Sequence, residues 1–234
     1  MITFGAIAPH GDVEETPELL AAMEELGWRC TSETVVVVTP HNVHVEGHFA
    51  VATAAHVGVH AIDRELSQAI IETARTDGLP ILGVSYGGNV QEQAELPLDW
   101  GTEVPLNFVK AEQVVVVAPA RDRPLDEHIR LGAAIARATG ERDVALIASA
   151  DHGHTHDAEG PYGFDPAAAE YDALFQELLL QRPLDFRPLA RLVGPAKADS
   201  LWQLLVLQGA IEGHAELLAY APRSYYGMAV AIVA

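Results

Sequence analysis

Short, unbroken apolar runs recur along this chain, and they limit its fold more than any other feature. "TVVVVT" at 34–39, "VVVVA" at 114–118 and "VALIAS" at 144–149 have no polar residue in alternate positions. A strand with one wet face would alternate; strands like these must be covered on both faces, as in a sheet between layers of helix. Residues 2–8, 48–53, 81–85 and 228–233 read as further strands. Between the strands, 16–26, 63–75, 125–139, 166–180 and 199–218 carry apolar residues at three- and four-residue spacing, the mark of amphipathic helices. The first opens on a Thr–Pro pair and the last on Asp199 and Ser200, all good start signals. The expectation is an α/β fold, a single three-layer α/β/α domain over residues 1–234 with a central sheet. The hairpin-like spacing of the second and third strands predicts a mixed sheet.

Charge excludes whole classes of partner. Lys and Arg total 14 against 33 Asp and Glu, a formal charge of −19. Nucleic acid and anionic lipid both demand clustered cations, so neither is an expected partner. No apolar stretch approaches the ~20 residues of a membrane helix. The opening "MITFGAIAPHGD" lacks a basic and then apolar leader. The expectation is a cytoplasmic protein without a membrane segment.

The chain has 11 histidines and a single cysteine, Cys30. One thiol cannot build a disulfide, a thiolate zinc site or an iron–sulfur cluster. His10 follows the first strand in "AIAPHGD", His41 the second in "VVVVTPHNVH", and His152, His154 and His156 follow the strand "VALIAS" in "ADHGHTHD". Ligand sites of α/β sheets collect beyond the carboxyl ends of strands, so these three loops can converge. His56, His60, His128 and His214 fall in helical or turn contexts and read as surface residues; His44 and His48 read as orienting partners or surface.

Imidazole suits zinc, iron, copper and nickel, and without thiolates a carboxylate must complete the set. Two histidines and a carboxylate on one face form the triad of non-heme Fe(II) oxygenases. The same parts also make a hydrolytic zinc site, and spacing alone does not separate the two. Asp12, Asp151 and Asp157 lie close enough in sequence to orient the imidazoles.

Several segments, in order, resemble the class III, LigB-type extradiol ring-cleavage dioxygenase superfamily, which also includes Memo-type proteins. They are "APHGD", "VVVVTPHNVHVEGHFAV", "AIDRELSQAI", "LDWGTEVPLNFV", "ASADHGHTHD" and "ADSLWQLLVLQGAIEG". The resemblance implies His10 and His41 as metal ligands and His154 as the acid–base histidine, with His152 and His156 as substitutes for that role. It places the third ligand near the start of the last helix, where Ser200 stands beside Asp199; a hydroxyl is a poor ligand, so Asp199 is preferred, with Glu212 and Glu46 as alternatives. Trp100 stands where many relatives have a substrate-orienting histidine, and Gly153 where the pattern usually has serine.

The implied activity is cleavage of a catechol-type ring by O2 with Fe(II), Mn(II) and Zn(II) being alternative metals. The implied partners are a small aromatic diol and O2, and the chain is expected to form a homo-oligomer, a dimer by analogy with relatives. Two competing readings are a zinc-dependent hydrolase and a non-catalytic Memo-like protein that binds metal or a partner.

Overall fold

The computed structural model describes residues 2–87 and 90–234. In chain order the elements are β1 (Ile2–Ala8), α1 (Pro17–Arg29), β2 (Thr34–Val38), β3 (Phe49–Ala52), β4 (His56–Val57), β5 (His60–Ile62), α2 (Arg64–Thr76), β6 (Ile81–Val84), β7 (Glu95–Leu96), α3 (Trp100–Leu106), β8 (Gln113–Ala118), α4 (Leu125–Ala138), β9 (Val144–Ser149), α5 (Ala167–Leu179), α6 (Ala190–Ala196), α7 (Leu201–Ala210), β10 (Ala215–Arg223) and β11 (Tyr226–Val233). They form an α/β fold on one mixed sheet of 11 strands, with the main order β10-β11-β1-β9-β2-β8-β5-β4-β7.

The apolar runs behave as their composition requires. β2 is buried along its whole length, as are β9 and β11. Side chains alternate between two cores. Val36, Val38, Val115, Val117, Leu146 and Ala148 face the layer built by α2, α4, α5 and α7. Val35, Val37, Val114, Val116, Ala145 and Ile147 face Leu19, Met23 and Leu26 of α1 and Leu106 of α3.

The sheet is mixed, though not through a hairpin of the second and third strands. β8 runs parallel to β2, and β3 pairs antiparallel with the far side of β8. The other antiparallel contributions are the β4–β5 ladder and the β10–β11 hairpin, which pairs with β1.

Two expectations need correction. The helix expected over 199–218 ends at Ala210, because Ile211 is extended and the chain then re-enters the sheet as β10, antiparallel to β11. Its leucines imitate a continuing helix but lie on a strand. The histidines expected at the surface also divide. His56 and His60 belong to the short β4–β5 ladder rather than to a helix or turn. His128 is fully buried in α4, edge-on to Phe49, with Nδ1 against the Pro124 carbonyl oxygen, and burial holds its pKa down at about 4. Among the described residues no helix is long and apolar enough to cross a membrane.

Candidate metal centre

β1, β9 and β2 lie side by side and parallel, so their carboxyl ends open on one edge of the sheet. The loops beyond them bring in His10, Asp151 and His41, while the approach to α7 brings in Asp199. His10 Nε2 lies 3.0 Å from His41 Nε2 and 3.3 Å from Asp199 Oδ2, and His41 Nε2 lies 3.5 Å from the same oxygen. Two donors each about 2.1 Å from a shared cation sit about 3.0 Å apart at a right angle and about 3.4 Å apart at a tetrahedral angle. The three separations therefore fit a single divalent metal. Among the described residues, these three alone form such a group. Neither alternative carboxylate joins it: Glu46 is exposed on its loop, and Glu212 borders a separate cavity with His214.

Asp151 is the fourth charge. Its Oδ2 lies 3.4 Å from His10 Nε2, and its Oδ1 accepts from the His10 amide. Burial works against a charge on His10, but Asp151 and Asp199 outweigh it and lift its pKa to about 9. Burial and the neighbouring His10 charge push His41 down to about 4. Burial pushes Asp151 above the usual carboxylate range; Asp199, equally buried, is drawn below it by His10. Around neutral pH the metal-free cluster thus holds an imidazolium, a neutral imidazole and at least one carboxylate. It is built to accept positive charge.

Supporting contacts fix each ligand. His10 Nδ1 donates to Ser149 Oγ at the end of β9. The His41 amide donates to Thr39 Oγ1, which in turn donates to Asp99 Oδ1 at 2.7 Å. Asp99 caps α3 through the Thr102 amide and also accepts from Asn42. Gly101 is needed for this junction, because a Cβ there would overlap Thr39 Oγ1. Trp100 is 57% exposed, so it fills no core; its ring lies 4.4 Å from that of His41.

His154 stands on the wall of the same cleft. His41, His154 and Tyr162 are shared by two adjoining cavities of about 440 and 670 Å³. The smaller is walled by Trp100, Tyr162, Tyr225 and Tyr226, and the larger reaches Asp199, Arg121 and Lys197. His154 Nδ1 donates to the His152 carbonyl at 2.6 Å, a bond that makes Nε2 the acceptor nitrogen whenever the ring is neutral. Its ring stacks on Tyr226 at 5.7 Å. The two substitutes are placed elsewhere. His152 is fully buried, stacked on Phe175 and bonded to Ser200 Oγ, and lines neither cavity. His156 binds Asp172. Ser200 caps nothing, since its hydroxyl serves His152 and Tyr171. Of the three expected orienting carboxylates, only Asp151 touches a histidine; Asp157 closes its own turn on the Glu159 amide, and Asp12 lines the smaller cavity.

A family model described as the catalytic LigB subunit of aromatic ring-opening dioxygenase matches residues 16–233. The chain belongs to the LigB family. The match begins after His10, so that ligand is supported by geometry rather than by the family alignment. A curated relative, the protein CA_C1420 of Clostridium acetobutylicum, is 27% identical over 158 residues, covering 59% of this chain. The chain spans about a third of that relative's length (34%). The crystal structure of the uncharacterized protein JW3007 from Escherichia coli K12 superposes with a TM-score of 0.72 over 99% of both chains at 16% identity, a likeness of fold alone.

Within this LigB chain several site residues escaped sequence reasoning. Tyr162, Tyr225 and Tyr226 wall the cleft, and Asp99 and Asp172 organise its loops. Asp99 had a readable signal, a capping residue just before "WGT". The tyrosines had none.

Proposed function

We propose that this protein is a non-heme Fe(II)-dependent extradiol dioxygenase that opens the ring of a catechol-type substrate with O2. The observation that carries the reading is the His10–His41–Asp199 group, with its first and third members buried, and His154 on the wall of the same cleft. A ferrous ion held there would supply Lewis acidity and redox chemistry toward O2. The remaining tasks fall to the chain. Trp100 and the three tyrosines offer an aromatic box for a single ring. His154, with Nδ1 tied to a carbonyl, presents Nε2 as the base that takes a phenolic proton and later returns it. Both oxygen atoms of O2 enter the open-chain semialdehyde, so no external reductant is needed.

Asp151 gives a zinc hydrolase some support as a second reading, since a buried carboxylate beside the ligands could accept a proton from water. The deciding experiment is anaerobic loading with Fe(II), then O2 uptake with a panel of catechols. The expected result is stoichiometric uptake and yellow ring-fission products. Tight metal binding with no uptake on any catechol, and ester or amide hydrolysis by the zinc form, would replace the oxygenase reading with the hydrolase.

A further inference from the structure

We infer that Asp172 is the positioning residue for His154, an inference that rests on the acid–base role proposed above. On its buried face α5 carries Ala167, Ala168, Tyr171, Phe175, Leu178, Leu179 and one charged side chain, Asp172, which is 1% exposed. Among the described residues no lysine or arginine pairs with it; three other donors do. Oδ1 accepts from the Gly153 amide at 2.8 Å. Oδ2 accepts from His156 Nε2 at 2.8 Å and from the Tyr220 hydroxyl at 2.7 Å. Gly153 immediately precedes His154 and His156 follows two residues later, so one carboxylate grips the loop on both sides of the base.

Independent packing supports the clamp. A Cβ on Gly153 would come within 2.6 Å of Ala168 Cα, so the loop presses directly on α5 and any side chain there would lift it off Asp172. A Cβ on Gly227 would overlap Asp172 Oδ2, which places the start of β11 equally close. That strand start is stitched to the loop by the His152 amide to the Gly227 carbonyl, the Gly227 amide to the Gly153 carbonyl, and the His156 amide to the Tyr225 carbonyl. Burying a carboxylate is costly unless its acceptor sites are filled. A carboxylate serving only to hold the helix would not need two of its three donors to come from the residues flanking His154. The same departure that sets this chain apart from its family pattern, glycine before the base, is what lets Asp172 reach the loop.

The test compares Asp172→Asn, His156→Gln and His156→Ala with the natural protein. Asn keeps an oxygen for the Gly153 amide but turns the other end into a donor facing two donors. Misplacement of a reacting group by about 1 Å costs on the order of 100-fold, so kcat with a catechol should fall by about that factor while KM and Mn(II) affinity hold. His156→Gln, which keeps an N–H for Oδ2, should lose less than His156→Ala. A second readout needs no activity: nitrogen-15 couplings of His154 in the metal-free protein should report the Nδ1–H form in the natural chain and a mixture in Asp172→Asn. Unchanged kcat and an unchanged His154 tautomer in Asp172→Asn would overturn the inference. If Asp172→Asn does not fold, the order of the two His156 variants and their His154 tautomers decide it in the same way. Should no catechol be turned over by the natural protein, the dioxygenase reading fails, while the tautomer measurement still tests the clamp.

Discussion

Loading the metal-free cluster with a divalent cation should expel close to one proton, and that proton comes from His10. Asp151 and Asp199, working against burial, keep His10 protonated up to about pH 9, whereas His41, held at about 4, is already neutral. A metal takes only the neutral imidazole. At pH 7 the cation therefore competes with a proton whose pKa lies about two units higher, worth about 2.7 kcal/mol, and the apparent affinity should be about 100-fold below its value in alkali. Between about pH 6.5 and 8.5 the affinity should climb about tenfold per pH unit. Titration calorimetry with Mn(II), run at each pH in two buffers of different ionisation enthalpy, measures both the affinity and the proton count. The same charge sets a stability trend. The folded value of about 9 exceeds the ordinary 6.5, so the stabilisation is complete below pH 6.5 and lost as pH rises through 9, about 3 kcal/mol in all. Metal-free protein should accordingly unfold at lower denaturant at pH 9 than at pH 6.5. An affinity flat over that range, with no proton released, would refute the charge arrangement derived for the cluster.

Other outcomes follow from single side chains. His154→Ala should bind Mn(II) like the natural protein and lose turnover, whereas His10→Ala, His41→Ala and Asp199→Ala should each lose the metal, as read by calorimetry; Glu46→Ala and Glu212→Ala should leave metal binding unchanged. Trp100→Ala removes a ring contact worth about 0.5–1.5 kcal/mol, so metal affinity should fall by roughly tenfold or less while KM for a catechol rises in steady-state assays. His152→Ala empties a fully buried site against Phe175 and leaves Ser200 Oγ with Tyr171 as its remaining side-chain partner, which should cost about 3 kcal/mol in urea denaturation. Gly101→Ala, forced against Thr39 Oγ1, should cost about 1–3 kcal/mol by the same method and weaken Mn(II) binding by displacing the His41 loop.

The parts of the fold that were legible in sequence are those buried on both faces. β1 and β9 begin and end where their apolar runs do, because those runs have no alternative to the middle of a sheet. Two-residue strands such as β4 and β7 leave no periodicity to read, and their pairing is decided by neighbours distant in sequence. β10 was hidden by a different effect: "AELLAYA" carries leucines at a spacing both helix and strand allow, and only its ladder with β11 chooses. At the site, His10, His41 and His154 could be found because each lies just past a strand. Asp172 could not, since a lone carboxylate on an apolar helix face has no local signature until the loop that needs it arrives from elsewhere.

The two halves of the site lean mainly on different elements and meet at the start of β11, where the Asp12 amide donates to the Tyr226 hydroxyl and Asp151 pairs with Met228. The metal half hangs on the ends of β1, β9 and β2 and on Asp99 at the start of α3. The base half hangs on α5, the first residues of β11 and the His154 amide's bond to Ala196. A protein that used this fold only to bind a metal would need the first half, but it would have no use for a proton-handling nitrogen in the second. Here the second half contains a buried carboxylate with both oxygens engaged, a histidine on the cleft wall with one nitrogen fixed, and a tyrosine stacked on it. Buried polar groups are costly to keep and easily replaced by apolar ones. Their arrangement around His154 makes sense if that nitrogen handles a proton, which is why the dioxygenase reading is preferred to a Memo-like binding role.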